Sequence, residues 1–358
     1  MDLRGIFKGT DLDSILIVNG GETAIDKSFF YFSGAEDGIF EGSALEVTPD
    51  GITMFVYELE KQSAVKTGHS IEVASSYSQM NENIRKQLEG KKKIGLNLSC
   101  LPVSLFNELK GYGSSAEFVD ATEIIGKARM IKSPDELKKL REAARISSEI
   151  YHGVLSKLRE GMTETQVATE LVYGMMSAGA SEPSFSSIVG FGENASIPHY
   201  SPGRRKLKRG DFVLTDYGAL YSRYCADTTR TAVFGRASEE QKEMYRTVYE
   251  AQKKSLSLIR NGANGKEVNA KAYEVIDSTK YRGRLMHGIG HGIGLEVHDH
   301  HALGSSDFTL KTNMAITDEP GIYIPGFGGV RIEDDLIVKD DGYELITANP
   351  PTELIEVS

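Results

Sequence analysis

The chain has 358 residues and a formal net charge of −10, from 41 basic and 51 acidic side chains. At about 100–200 residues per domain this length predicts two domains, and its 40% hydrophobic and 26% charged residues are those of a globular protein. The negative balance disfavours nucleic acid as the main partner, because phosphate binding needs a cationic face. Cys100 and Cys225 are too few for a secreted disulfide scaffold. The N-terminal MDLRGIFKGTDLDS lacks a basic segment followed by an apolar one, and no apolar run nears the roughly 20 residues of a membrane span. The expectation is a cytoplasmic protein with no membrane partner.

Residues 1–127 read as a small α/β domain. Short apolar runs at Ser14–Val18, Leu45–Val47, Thr53–Val56 and Lys93–Leu96 are bounded by turn residues such as Pro49-Asp50-Gly51. Helical stretches such as Met80–Leu88 lie between them. His69 and Lys91–Lys93 read as solvated surface. A second domain is expected over 128–358. Ser133-Pro134-Asp135-Glu136 combines an N-cap serine, a first-turn proline and a glutamate three residues after the cap. The helix it opens should run to about Glu160, with Gly161 as the stop. Thr163-Glu164-Thr165-Gln166 opens a second helix ending near Gly179. Ser238-Glu239-Glu240-Gln241 opens a third, ending at Asn261-Gly262, and Gly265–Lys280 is a fourth. The caps at Ser133 and Ser238 lie 105 residues apart. Two halves, each a helix pair plus antiparallel strands, would face each other in one α+β domain with pseudo-twofold symmetry. Chance similarity between two ordinary halves is the alternative.

Phe212–Phe234 is strand-like on both flanks and carries Asp216 and Asp227. A two-residue turn centred on Tyr221-Ser222 would set them directly opposite, with Cβ atoms about 4.5–5.5 Å apart. Carboxylates that close repel unless a cation lies between them; otherwise both face water from loops. Ile316–Val338 repeats the arrangement. Glu319 and Glu333 flank a glycine-rich turn at Pro325–Gly329, and pairing about Gly326 opposes them. Asp318, Asp334 and Asp335 should point outward, since successive strand residues alternate faces. Between the hairpins, five of the eight histidines fall within 15 residues, from His287 through His291, His298 and His300 to His301. Glycines at 288, 290, 292 and 294 forbid a stable helix and allow close backbone approach to a ligand. In an extended segment His287 and His291 share a face, whereas His298 needs a bend to join them. Four carboxylates and one imidazole suit a pair of divalent ions such as Mn²⁺, Co²⁺ or Zn²⁺, with two acids bridging, as in binuclear aminopeptidases.

The segments TDYGALYSRYCADTTRT, HGIGHGIGLEVHD and DEPGIYIPGFGGVRIED resemble the metal-site motifs of the M24 "pita-bread" metallopeptidases. That group includes methionine aminopeptidase, Xaa-Pro aminopeptidase and Xaa-Pro dipeptidase (prolidase). FFYFSGAE and VTPDGITMFV are similar to the creatinase/prolidase N-terminal domain, and MIKSPDELKKLREAA to the start of the catalytic domain. The resemblance implies a pita-bread catalytic domain holding two divalent ions. Asp216 would lie on one, His291 and Glu319 on the other, and Asp227 and Glu333 would bridge. It implies that a metal-bound hydroxide attacks the scissile carbonyl, that Glu319 passes the proton to the leaving nitrogen, and that His298 steadies the carbonyl or oxyanion. His199 matches a substrate-binding histidine, His287 a site-lining one, and Arg331 an arginine that orients the acids; Tyr323 is placed in the same region.

The spacing of 14 between Glu319 and Glu333 and the extra N-terminal domain are those of the Xaa-Pro enzymes. The resemblance therefore implies a small proline-containing peptide as substrate and a homodimer as assembly. A broader aminopeptidase, or a non-catalytic binding protein on the same scaffold, are the alternatives. Many prolidases carry Pro-Arg after the histidine segment, the arginine being suited to a dipeptide's carboxylate. Here Ala302 stands where that arginine would fall, which leaves the carboxylate to His300, His301 or a residue elsewhere. The basic run from Arg204 to Arg209 reads as a solvated loop rather than a nucleic-acid patch.

Overall fold

The structure, a computed structural model, describes residues 2–112, 116–300, 302–304, 307–348 and 353–358. It divides into two compact units, Met1–Arg129 and Met130–Ser358. In the first unit one sheet runs in the order Ser70–Ala74, Gly51–Tyr57, Ala44–Thr48, Ser14–Val18, Lys93–Leu96, Glu117–Asp120. The Gly51, Ala44 and Ser14 strands pair antiparallel, and every other neighbour is parallel. Both faces are covered, as a largely parallel sheet requires. Ile15, Ile17 and Val47 pack with Phe29 and Phe40 on one side. Leu16, Phe55 and Leu96 pack with Met80, Ile84 and Leu88 on the other. The lysine run at 91–93 is not simply solvated: Lys91 pairs at 3.0 Å with Glu46, a carboxylate 1% exposed.

In the second unit, capping chemistry sets the helix starts. The Ser133, Thr163 and Ser238 hydroxyls each accept the N–H three residues on, and Glu136, Gln166 and Gln241 accept the cap's own N–H in return. The helices are Pro134–Leu155, Glu164–Ser177, Glu239–Leu256 and Gly265–Asp277. The first and third end five residues short of the expected stops, because further turns intervene before Gly161 (φ +86°) and Gly262 (φ +83°). Each helix pair is followed by antiparallel strands. Ile188–Phe191, Phe212–Tyr217 and Thr228–Phe234 lie side by side, with Ile355–Val357 on the outer edge. Ala315–Asp318 pairs with Asp334–Lys339, and Gly321–Ile324 with Gly328–Arg331.

The two halves are stitched where Thr228–Thr231 meets Arg331–Glu333. Glu333 N–H donates to Thr229 O at 3.1 Å, Arg331 N–H to Thr231 Oγ1 at 3.2 Å, and Thr228 Oγ1 to Glu333 O at 3.2 Å. This seam brings the two acid-bearing hairpins together. Among the described residues no helix is long and apolar enough to cross a membrane.

Candidate metal centre

Strand register determines which acids meet. In the first hairpin the turn residues are Ser222 and Arg223, both in the left-handed region (φ 43° and 70°), so Tyr221 pairs with Tyr224 and Leu220 with Cys225. Carried down the ladder, this register opposes Asp216 to Thr229, and not to Asp227 as a turn at Tyr221-Ser222 would require. Asp227 and Thr229 are two apart and share a face, so the shift leaves both acids on the same side. The second hairpin has the register set by pairing about Gly326: Gly321 opposes Arg331, and Asp318 opposes Asp334.

Asp318, Asp334 and Asp335 do not face solvent. All three are 0–1% exposed, because the helix and strand behind them supply partners. Asp334 accepts from Arg230, Gln252 and Thr347, and Asp318 from Ser255. Asp335 accepts the N–H of Asp227 at 2.9 Å, fixing that residue's backbone from behind.

A cavity of about 520 Å³ opens on the seam. Its wall includes Asp216, Asp227, His291, Glu319 and Glu333, together with His199, His287, His298 and Arg331. Tyr323 lies behind the wall, fully buried, with its hydroxyl against His287 and Arg331. His291 is held by its own N–H on Thr317 Oγ1 at 3.0 Å. Its Nδ1 faces Gly292 O at 3.1 Å and so carries the hydrogen, which leaves the Nε2 lone pair toward Asp227 (3.6 Å) and Glu319 (3.8 Å). The His298 ring packs on His291 with centroids 4.2 Å apart. The glycines around His291 serve close backbone packing. A Cβ on Gly290 would lie 2.1 Å from Thr317 O, and one on Gly292 2.1 Å from Asp299 O and His300 O. His300 borders a separate small recess with Lys132 and Asp299; His301 lies outside the described residues.

Ligand atoms of Asp227, His291 and Glu333 lie within 4.8 Å of one another. Asp216 Oδ1 and Asp227 Oδ1 are buried without a hydrogen-bond partner. Oxygens left bare beside a correctly presented imidazole lone pair fit divalent cations, since water-free carboxylates need a positive partner. Residues 138–340 match the model of metallopeptidase family M24, and residues 2–131 that of the creatinase/prolidase N-terminal domain. The chain belongs to the M24 family. It is similar to an Xaa-Pro dipeptidase of Pyrococcus horikoshii, 36% identical over 94% of this chain and 93% of the relative. The structure of an Xaa-Pro dipeptidase from Bacillus anthracis superposes with TM-score 0.91 at 34% identity, covering 99% of this chain and 98% of that one. An X-Pro aminopeptidase from Thermotoga maritima gives TM-score 0.90 at 30% identity, covering 97% and 98%. The M24 chain thus has the pita-bread fold with a creatinase-type N-terminal domain, and as an M24 metallopeptidase it uses divalent metal ions.

The electrostatics are those of a crowded acid site. Burial, then the neighbouring Glu333 and Asp216, hold Asp227 well above the usual carboxylate range. Burial and the nearby Glu319 do the same to Glu333. Burial pushes Glu319 up to about 8, against the opposing pull of Arg331. His291 is pushed down to about 4 by burial and by the adjacent His298 ring, so it is neutral at pH 7 and free to ligate.

One supporting residue escaped the sequence reading. Glu164, fully buried, accepts from Phe191 N–H, Asn194 Nδ2, Tyr200 Oη and Gly203 N–H at 2.9–3.0 Å. It fastens both ends of the loop that carries His199. Glu164 sits inside a capping box, so its sequence context signals only a helix start.

Proposed function

We propose that the chain is an Xaa-Pro exopeptidase that hydrolyses the bond between an N-terminal residue and proline. The observation that carries the reading is the convergence of four carboxylates and His291 on one cavity wall. Asp216, Asp227, His291, Glu319 and Glu333 would hold two divalent ions, Mn²⁺ or Co²⁺ before Zn²⁺ because oxygen donors predominate. When bound, such ions supply charge that polarises a carbonyl and acidifies water.

The chain's own groups do the rest. His199 and His298, at the cavity wall, orient the scissile carbonyl. His298 donates a hydrogen bond to the oxygen as negative charge develops there. The oxygen of water adds to the carbonyl carbon, and a Glu319 carboxylate oxygen takes its proton. Glu319 then delivers that proton to the proline nitrogen as the C–N bond breaks. Burial pushes the Glu319 carboxyl up, while Arg331 pulls it toward its ionised form, the form that accepts a proton. Arg331, at 2.5 Å from Asp216, fixes that carboxylate.

The proline preference is carried from the relatives' names, and a homodimer and cytoplasmic location belong to the same reading; light scattering and cell fractionation test those two. The enzymatic test is product analysis with manganese- or cobalt-loaded protein. Alanine should be released from Ala-Pro-Ala and not appreciably from Ala-Ala-Ala. Equal release from both would make the enzyme a broader aminopeptidase. Stoichiometric metal with neither cleaved would make it a binding protein.

A further inference from the structure

We propose that Lys132 is a positioning residue for the reaction: through a buried ion pair with Asp299 it closes the turn that sets His298 against His291. The inference rests on the role given to His298 above and names what holds that histidine in place. His298 lies an odd number of residues from His291, so an extended chain would point the two rings to opposite faces. The chain instead turns back. Asp299 N–H donates to Gly292 O at 2.8 Å and Gly294 N–H to Glu296 O at 3.0 Å, and the two rings meet with centroids 4.2 Å apart.

Glycine permits this turn and also leaves it pliable, since Gly292 and Gly294 restrict the backbone least. The ion pair supplies the missing constraint. Lys132 Nζ lies 3.0 Å from Asp299 Oδ2, and both side chains are 2% exposed. The Asp299 carboxylate folds back over Gly294, where a Cβ would lie 2.0 Å from Asp299 Oδ2 and 2.8 Å from Lys132 Nζ. The pair thus fills the place of a side chain and braces the turn from its middle to its end. Lys132 is itself anchored on another segment. Its N–H donates to Asn313 O at 2.9 Å, and Ser133 beside it caps the Pro134–Leu155 helix.

The turn also touches the candidate ligands. Gly292 O, which accepts from Asp299, faces His291 Nδ1 at 3.1 Å, and Gly294 O accepts the N–H of Cys225 at 2.8 Å, just before Asp227. Lys132 lines the small recess beside His300 rather than the cavity, so its influence on the reaction runs through His298. A buried ion pair adds little stability over apolar side chains of the same volume, because desolvating both charges offsets their attraction. What it adds is direction: an ammonium and a carboxylate meet in one geometry, whereas methyl groups slide.

The test is Lys132→Met in manganese-loaded full-length protein acting on Ala-Pro-Ala. A group that bonds the oxygen only as charge develops contributes to kcat and little to KM. Misplacing such a group by about 1 Å costs up to roughly 10²-fold, so kcat should fall about 10–10²-fold. KM, and manganese affinity measured by calorimetry, should each stay within about twofold of wild type. In His298→Ala protein the same substitution should change kcat by less than about twofold, because the group it positions is gone. Equal losses in both backgrounds overturn the proposal, since a merely structural role would act regardless of His298. Undiminished kcat in His298→Ala, or a loss confined to KM or to manganese affinity in Lys132→Met, overturns it too. A folded Lys132→Met with wild-type kcat overturns it and leaves the Xaa-Pro reading standing, whereas wild-type protein inactive on Ala-Pro-Ala overturns both. Lys132→Met/Asp299→Leu removes both charges and leaves neither ion buried alone, so it decides the matter where the single variant does not fold. Its kcat should again fall with KM held, and wild-type kcat there overturns the proposal.

Discussion

The two acid-bearing hairpins follow one plan and turn by different means. The second turns through Gly326 (φ +77°) and Gly328 (φ +147°), and Gly328 has no room for a side chain, since a Cβ there would lie 2.5 Å from the Phe212 ring. The first turns through Ser222 and Arg223, residues that carry a Cβ into the left-handed region. Glycine advertises its turn and fixes the register in advance; a serine–arginine turn does not. The acids nonetheless meet in both cases, because the first register differs from the expected one by an even number of residues and period-2 alternation preserves the face.

The largest effect should come from the chemistry the second hairpin carries. Glu319→Gln should lower kcat on Ala-Pro-Ala by about 10²–10⁴-fold, the usual worth of a proton carrier, while circular dichroism shows a preserved fold. Near-full activity would remove Glu319 from its role. Next is the packing under that hairpin's turn. A Cβ on Gly329 would lie 2.0 Å from the backbone oxygen of Ala195. Gly329→Ala should therefore destabilise by about 3 kcal/mol, the upper range for point substitutions, and lower the melting temperature by several degrees. A wild-type melt would show that the 192–196 segment yields easily.

The acids of both hairpins predict a pH dependence. Asp227 in the first and Glu319 and Glu333 in the second have folded-state values above the ordinary range, Glu319 reaching about 8. In chelated protein the folded state therefore holds protons that the unfolded chain releases near pH 4. This stabilisation is complete below that pH and is lost as pH rises through about 8. A bound cation removes the repulsion instead. Added Mn²⁺ should raise the melting temperature more at pH 8.5 than at pH 5.5, and an equal increment at both would contradict the cluster's crowding. The smallest effect belongs to the first turn. Ser222→Gly relieves a left-handed serine, an advantage of about 1 kcal/mol partly offset by glycine's flexibility when unfolded. A rise of one or two degrees is expected, and a fall would mean the serine side chain stabilises the turn.

Much of this molecule was legible in its residues. Helix starts were, because a capping box is a local exchange of hydrogen bonds between residues three apart, as Ser133 and Glu136 show. So was the glycine-marked register, and so were the acids and histidines, whose grouping exceeds what solvated surface needs. Tertiary structure alone decided what lies behind them. Alternation says that Asp318 and Asp334 face away from their neighbours Glu319 and Glu333, but not that Arg230, Gln252 and Ser255 wait there to bury them. Nor does spacing reveal that Glu164 reaches 27 to 39 residues along the chain to hold the His199 loop, or that Tyr323 reaches both His287 and Arg331. Local order is encoded between near neighbours, whereas the partner of a buried polar group is chosen by whatever distant segment the packed core carries to it.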